Sequence, residues 1–128
     1  MMGVIKLEMN IEEAVVKELR KHEYPVTLEG FIVVTPYFSY LVSDMMKENS
    51  LERQASILLN SPEIAEALPD DMLLGVGSMV LLQAKCRITG ILKNTGIAPF
   101  ERLLYRVSEL KMFPEGHSEF VLNDILLT

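Results

Sequence analysis

From Val80 onward one set of alternate positions reads Val80, Leu82, Ala84, Cys86, Ile88. The positions between them, from Gln83, read Gln83, Lys85, Arg87, Thr89. That period of two is the mark of a β-strand with one buried and one wet face. The segment Gly77 to Leu92 therefore constrains the fold more than any other stretch. Similar runs lie on either side of it and a short capped helix lies just before it. Together they predict a small β-barrel, and no catalytic or metal-binding constellation accompanies them.

The chain has 128 residues, enough for one domain with a real core and too few for two ordinary ones. A hydrophobic content of 49% argues against disorder. No apolar run reaches the roughly 18 residues of a membrane span. The start, MMGVIKLEMN, lacks the basic region, apolar stretch and small-residue cleavage site of a secretory signal, so no membrane partner and a cytoplasmic location are expected. Cys86 is the single cysteine, which excludes an internal disulfide; on the apolar parity it reads as a small core residue.

The net charge of −6 is unevenly placed. Residues 1–71 hold 13 acids and 6 bases, net −7, and residues 72–128 hold 5 acids and 6 bases, net +1. An acidic first half repels a phosphate backbone and favours a basic protein partner. The plain alternative is that modest acidity only aids solubility.

Along the chain, Val4 to Met9 alternates as a short strand. Asn10 and Glu13 have the N-cap and N3 spacing of a capping box. Ile11, Val15 and Leu19 make a helical stripe that ends near His22, because Pro25 disfavours helix at Tyr24. Val26 to Thr35 is a strand with Val26, Leu28, Gly30, Ile32 and Val34 on one face and Thr27, Glu29, Phe31, Val33 and Thr35 on the other. Gly30 within it marks a bend or the close approach of another backbone. Ser39–Asp44 and Ala55–Asn60 are strands, with a polar loop at Met45–Gln54 between them. Ser61, Pro62 and Glu63 start a helix with Ile64 and Leu68 as its apolar stripe. After the long strand, Lys93–Pro99 reads as a turn, Leu103–Val107 as a fifth strand and Ser108–Phe113 as its irregular continuation. Pro114–Gly116 is a turn and Phe120–Leu127 a last strand. The core is expected at Val26, Leu28, Ile32, Leu41, Ile57, Leu59, Ile64, Leu68, Val80, Leu82, Cys86, Ile88 and Val107.

The order strand, strand, strand, short helix, strand, strand over residues 24–113 resembles the OB-fold, a five-stranded Greek-key barrel with a helix between its third and fourth strands. VTLEGFIVV looks like its bent first strand, YLVSD its second, SILLN and SPEIAEAL its third strand and helix, GSMVLLQAKCRITGIL its fourth and LLYRVSELKM its fifth. The expected class is thus α+β: a small OB-like five-stranded β-barrel with an N-terminal helix and a short helix between strands three and four. Residues 1–128 form one domain, with 1–23 an N-terminal addition and 114–128 a C-terminal extension. The resemblance implies oligonucleotide binding on the face of strands two and three. This chain departs from that role, since Ser39–Asp44 and Ala55–Asn60 contain no Lys or Arg.

Candidate chemistry is sparse. Tyr37, Phe38 and Tyr40, with Phe31 before them, surround the first strand turn; such rings cap a barrel core, anchor a partner or stack bases. Lys85, Arg87 and Lys93, followed by Arg102, Arg106 and Lys111, read either as a weak basic strip or as an ordinary solvated strand face that keeps the sheet from sticking. Asp70 and Asp71 have no third ligand at useful spacing, and neither His22 nor His117 sits in a metal or triad motif. No catalytic residue, metal or cofactor is expected.

By elimination these observations lead to a non-enzymatic binding domain whose acidic surface docks a basic protein, in its most concrete form an immunity protein or antitoxin that blocks a nuclease toxin. Glu29, Glu48, Glu52, Asp70 and Asp71 would steer the partner, and Tyr37, Phe38 and Phe31 would anchor it. Nucleic acid is disfavoured as a ligand at physiological salt. An oligonucleotide-binding module is the alternative, and self-association through an exposed strand or the N-terminal helix is a rival use of the same surface.

Overall fold

The computed structural model describes residues 7–16, 24–36, 38–43, 56–59, 63–68, 80–97, 100, 102–116 and 118–125. In chain order the elements are β1 (Leu7–Asn10), α1 (Ile11–Val16), β2 (Tyr24–Val34), β3 (Ser39–Val42), β4 (Ser56–Leu59), α2 (Glu63–Ala67), β5 (Leu82–Asn94), β6 (Arg102–Phe113) and β7 (Phe120–Ile125). Five strands close a mixed barrel in the order β2-β3-β4-β6-β5 and back to β2. All its pairings are antiparallel except β4 with β6, which is parallel. That parallel contact needs a crossover between the two strands, and α2 with β5 supplies it. The result is an α+β chain with an OB-like barrel and two short helices, as the strand order predicts.

The strand periodicity sets the inside of the barrel. Leu82, Ala84, Cys86, Ile88 and Leu92 of β5 are buried, as is Gly90, while the odd-numbered residues between them are not. They meet Val26, Leu28, Ile32 and Val34 of β2, Leu41 of β3, and Ile57 and Leu59 of β4 in one apolar cluster. Ile11 and Ala14 of α1 and Ile64 of α2 join that cluster. Each Val, Leu or Ile side chain among them contributes about 1.5–3 kcal/mol by leaving water. The helix stripe differs slightly from expectation: Ala14 rather than Val15 is fully buried, and Val16 faces solvent. Asn10 and Glu13 form the capping box, with the Glu13 N–H donating to Asn10 Oδ1 at 2.8 Å and the Asn10 N–H to Glu13 Oε1 at 3.1 Å.

β2 and β6 each share one edge between two neighbours, and both changeovers depend on crowding at a glycine. Along β2, residues 26–29 pair with β1 in parallel and residues 31–34 pair with β3. Gly30 stands between them, and a Cβ there would lie 2.8 Å from the Val42 carbonyl oxygen. This is the close approach that a mid-strand glycine signals. Along β6, residues 102–103 pair with β4 and residues 107–112 with β7. Opposite that changeover, a Cβ on Gly90 would lie 2.9 Å from the Tyr105 carbonyl oxygen.

The expectation that Leu103–Val107 is a strand with an irregular tail at Ser108–Phe113 is corrected: β6 is continuous from Arg102 to Phe113. Its irregularity lies at 106–108. Thr89 pairs with Glu109 and Ile91 with Tyr105, so Gly90 alone faces Arg106, Val107 and Ser108. Two extra residues preserve the parity on either side, so Leu104 and Leu110 both point inward, and Val107 turns inward within the bulge. Arg106 makes the bulge with a φ of 49°. The expected turn at Lys93 begins later, because Lys93 and Asn94 still pair with Leu103 and Arg102.

Two further expectations are corrected on the outside of the barrel. Val33 and Thr27, on the parity read as wet, are buried. Val80, read as inner core, is half-buried and packs on the outer side. Thr27 lies between Glu8 of β1 and Thr89 of β5, with its hydroxyl 3.0 Å from that of Thr89. For Val33 and Val80 the cause is a second apolar cluster on the outer face, formed by Val33, Tyr40, Val42, Leu58 and Phe100. All four residues of β3 and all four of β4 are consequently buried. The helix residues after Val16, the start of the second helix at Ser61 and Pro62, and the loop at Met45–Gln54 lie outside the described residues.

Candidate functional site

The aromatic residues are placed by the β2–β3 connection. Thr35 ties that turn together: its hydroxyl donates to the Phe38 carbonyl oxygen and accepts from the Phe38 N–H at 3.2 Å. This holds Phe38 over Tyr40, with ring centroids 6.0 Å apart. Phe100, from the connection between β5 and β6, completes a triangle at 6.2 Å from Phe38 and 5.9 Å from Tyr40. Those separations suit offset and edge contacts between rings. Burial pushes the Tyr40 phenol above its ordinary pKa. Phe31 and Phe38 pack against the same cluster and stay half-buried. Tyr37 lies outside the described residues. Phe100 is the member that sequence reasoning missed, because a lone aromatic in a loop carries no periodic signal.

The acidic residues divide similarly. Glu48, Glu52, Asp70 and Asp71 lie outside the described residues. Glu29, on the outer face of β2, is directly opposite Arg87 on β5. Arg87 donates one guanidinium N–H to Glu29 at 2.6 Å and another to Glu8 on β1. Glu8 first, by its charge and its hydrogen bond, and then Glu29 raise the pKa of Arg87 above its ordinary value. Side-chain exposures of 39%, 66% and 59% for Arg87, Glu8 and Glu29 leave this triad open to solvent and salt. Glu8, Glu13 and Glu29 line one groove of about 300 Å³ with Met9 and Asn10. Two carboxylates, Glu8 and Glu29, thus share the Arg87 guanidinium, and Glu13 adds a third carboxylate to the groove where β1, α1 and β2 converge.

A second open groove, of about 490 Å³, is lined by Glu29, Lys85, Cys86, Arg87 and Phe113. Phe113 is 42% exposed there. The Cys86 side chain faces the barrel interior and is buried, and burial pushes its thiol up to about 12, so it is no nucleophile at neutral pH. Among the described residues no three His, Cys, Asp or Glu side chains converge on a point where a metal ion would be held. His22 and His117 lie outside the described residues. No helix among the described residues is long and apolar enough to cross a membrane.

The first groove is lined mainly by carboxylates, and the second joins two cations, Glu29 and an exposed ring. Comparison of the chain with protein-family models, with curated proteins and with solved structures finds no match.

Proposed function

We propose that this chain is a non-enzymatic cytoplasmic binding domain on an OB-fold barrel, and that it docks a basic protein partner. An immunity protein or antitoxin that blocks a basic nuclease toxin is the concrete form. The observation that carries the reading is the groove lined by Glu8, Glu13 and Glu29, of which Glu8 and Glu29 share the guanidinium of Arg87. A lysine or arginine from a partner entering it finds carboxylates in excess. The fold part of the proposal rests on the parallel β4–β6 contact and on α2 between the third and fourth barrel strands. Its cellular part rests on a single free cysteine.

Glu29 would steer the partner together with Glu48, Glu52, Asp70 and Asp71, and the half-buried rings of Phe31 and Phe38, with Tyr37 beside them in sequence, would anchor it. Burial of β3 on both faces, and of β4 likewise, supports this reading over oligonucleotide binding at that face, where bases would need open rings. The test is a pull-down from the native host at low salt, with wild type beside a Glu8→Lys/Glu29→Lys variant. A basic protein captured by the wild type and lost by the variant supports the reading. Recovery of the chain alone sinks it.

A further inference from the structure

Residues 82–113 carry six bases, Lys85, Arg87, Lys93, Arg102, Arg106 and Lys111, against two acids, Glu101 and Glu109. Their net charge is +4; the rest of the chain, with 16 acids and 6 bases, is −10, which gives the total of −6. All six bases lie on β5 and β6, which pair with each other directly. The register brings Arg87 opposite Lys111, a like-charge pair that destabilises a sheet. Arg87 has Glu8 and Glu29 to neutralise it. Lys85 and Lys111 form no ion pair among the described residues.

Rings are interleaved with these charges. Phe113 pairs with Lys85 and stands exposed in the groove that Lys85 and Arg87 line. Towards the other end of β5, Lys93 Nζ lies 4.5 Å and Arg106 Cζ 5.6 Å from the centre of the Tyr105 ring. From Lys85 to Lys93 the strip runs roughly 27 Å at a strand's rise of about 3.4 Å per residue. Glu109 interrupts it, and Glu29 of β2 borders its groove beside Arg87. Arg106 adds a separate argument. Its φ of 49° is a backbone conformation that glycine adopts freely and arginine does not. Glycine would meet that backbone demand at lower cost, and the arginine instead places its guanidinium beside Tyr105 on this face.

We infer that the outer face of the β5–β6 hairpin binds single-stranded nucleic acid, with Lys85, Lys93, Arg106 and Lys111 on its phosphates and Phe113 stacked against a base. The inference goes beyond the proposed protein partner and does not depend on it, because Lys85, Lys93, Arg106, Lys111 and Phe113 lie on β5 and β6 and do not line the acidic groove, although Glu29 borders both grooves. The outer face of β3 and β4 takes no part. An acidic peptide would find the same cations but has no use for an exposed ring, whereas every base has a π-face. The two surfaces of opposite sign would let the chain hold a basic protein beside a nucleic acid strand.

The experiment is a fluorescence-anisotropy titration of the full chain with a labelled oligothymidylate of about twelve nucleotides. Four phosphate contacts on a single strand predict a log–log salt slope of about −2.8, which is roughly a fiftyfold loss of affinity from about 50 to 200 mM salt. For Lys85→Glu/Lys111→Glu the slope falls to about −1.4, roughly a sevenfold loss over the same range, and binding at low salt is weaker at least tenfold. Phe113→Ala weakens binding roughly tenfold. Arg106→Gly keeps the discriminating readout: its urea midpoint rises while its affinity falls, which a purely structural arginine would not show. Glu13→Gln removes a carboxylate of the acidic groove that is bonded to Asn10 rather than to Arg87, and it leaves the titration unchanged, so failure of the acidic groove and failure of this strip are separate results. No anisotropy change at low salt, an unaltered slope in the lysine variant, or polyglutamate competing as well as the oligonucleotide overturns the inference.

Discussion

Ile11 Cγ1 lies 2.5 Å from the point where a Cβ on Gly30 would stand, and the Val42 carbonyl oxygen lies 2.8 Å from that same point. The first residue of α1 therefore packs into the space that a side chain on β2 would need. Gly30→Ala should destabilise the chain by roughly 1–3 kcal/mol through overpacking. The two close contacts are separable. In an Ile11→Ala background, itself about 2–5 kcal/mol less stable, the cost of Gly30→Ala should shrink because only the carbonyl remains. Urea melts of the four proteins in a double-mutant cycle check this. Additive costs would show that α1 does not press on Gly30.

Ile88 is fully buried at the middle of β5 and pairs with Leu28 on one side and Leu110 on the other. Ile88→Ala should cost roughly 2–5 kcal/mol from lost burial plus the cavity left behind. A denaturant melt showing less than about 0.5 kcal/mol would put Ile88 on the wrong face.

The inner half of the fold is legible because period-two alternation reports a face directly. Of the residues expected in the core, all but Val80 are buried, and Val80 fails for a nameable reason. Alternation predicts one wet face, and here the outer face of β3, of β4 and of β2 around Val33 is covered too. A strand buried on both faces, such as Ser39–Val42, has no period to read. The bulge at Arg106 was half visible. The sequence lost its alternation after Val107, but the side chains do not reveal that Gly90 on the neighbouring strand faces three residues. The ion triad was not visible at all. Arg87 is 79 residues from Glu8 and 58 from Glu29, and their meeting needs the registers of β1, β2 and β5 together. The capping box lay within four residues and could be read directly.

Ser39 begins β3 with its hydroxyl buried and without a hydrogen-bond partner among the described residues. It pairs with Leu59 and Val34 in an apolar setting. A buried hydroxyl left unpaired costs about 1–3 kcal/mol of desolvation, which alanine avoids at little change in volume. Ser39→Ala should raise the urea midpoint at constant m-value. A loss of stability would mean that the hydroxyl is satisfied after all.

Cys86 makes stability depend on pH above neutrality. Its thiol is held at about 12 by burial, against about 8.5 in an unfolded chain. A folded pKa raised above the unfolded one gives a contribution that is complete below about 8.5 and lost as pH rises towards 12. Across that window the unfolded chain releases the proton and the folded chain keeps it, so stability falls by about 1.4 kcal/mol per pH unit. Tyr40 is shifted in the same direction by burial and remains in a Cys86→Ala variant, so its contribution cancels in a comparison. That variant has a cavity and is less stable at neutral pH. Between about pH 7.5 and 9.5 its deficit relative to the wild type should narrow by about 1.4 kcal/mol. Urea melts of both proteins at the two pH values measure it, and a deficit that stays constant would mean the thiol is open to solvent.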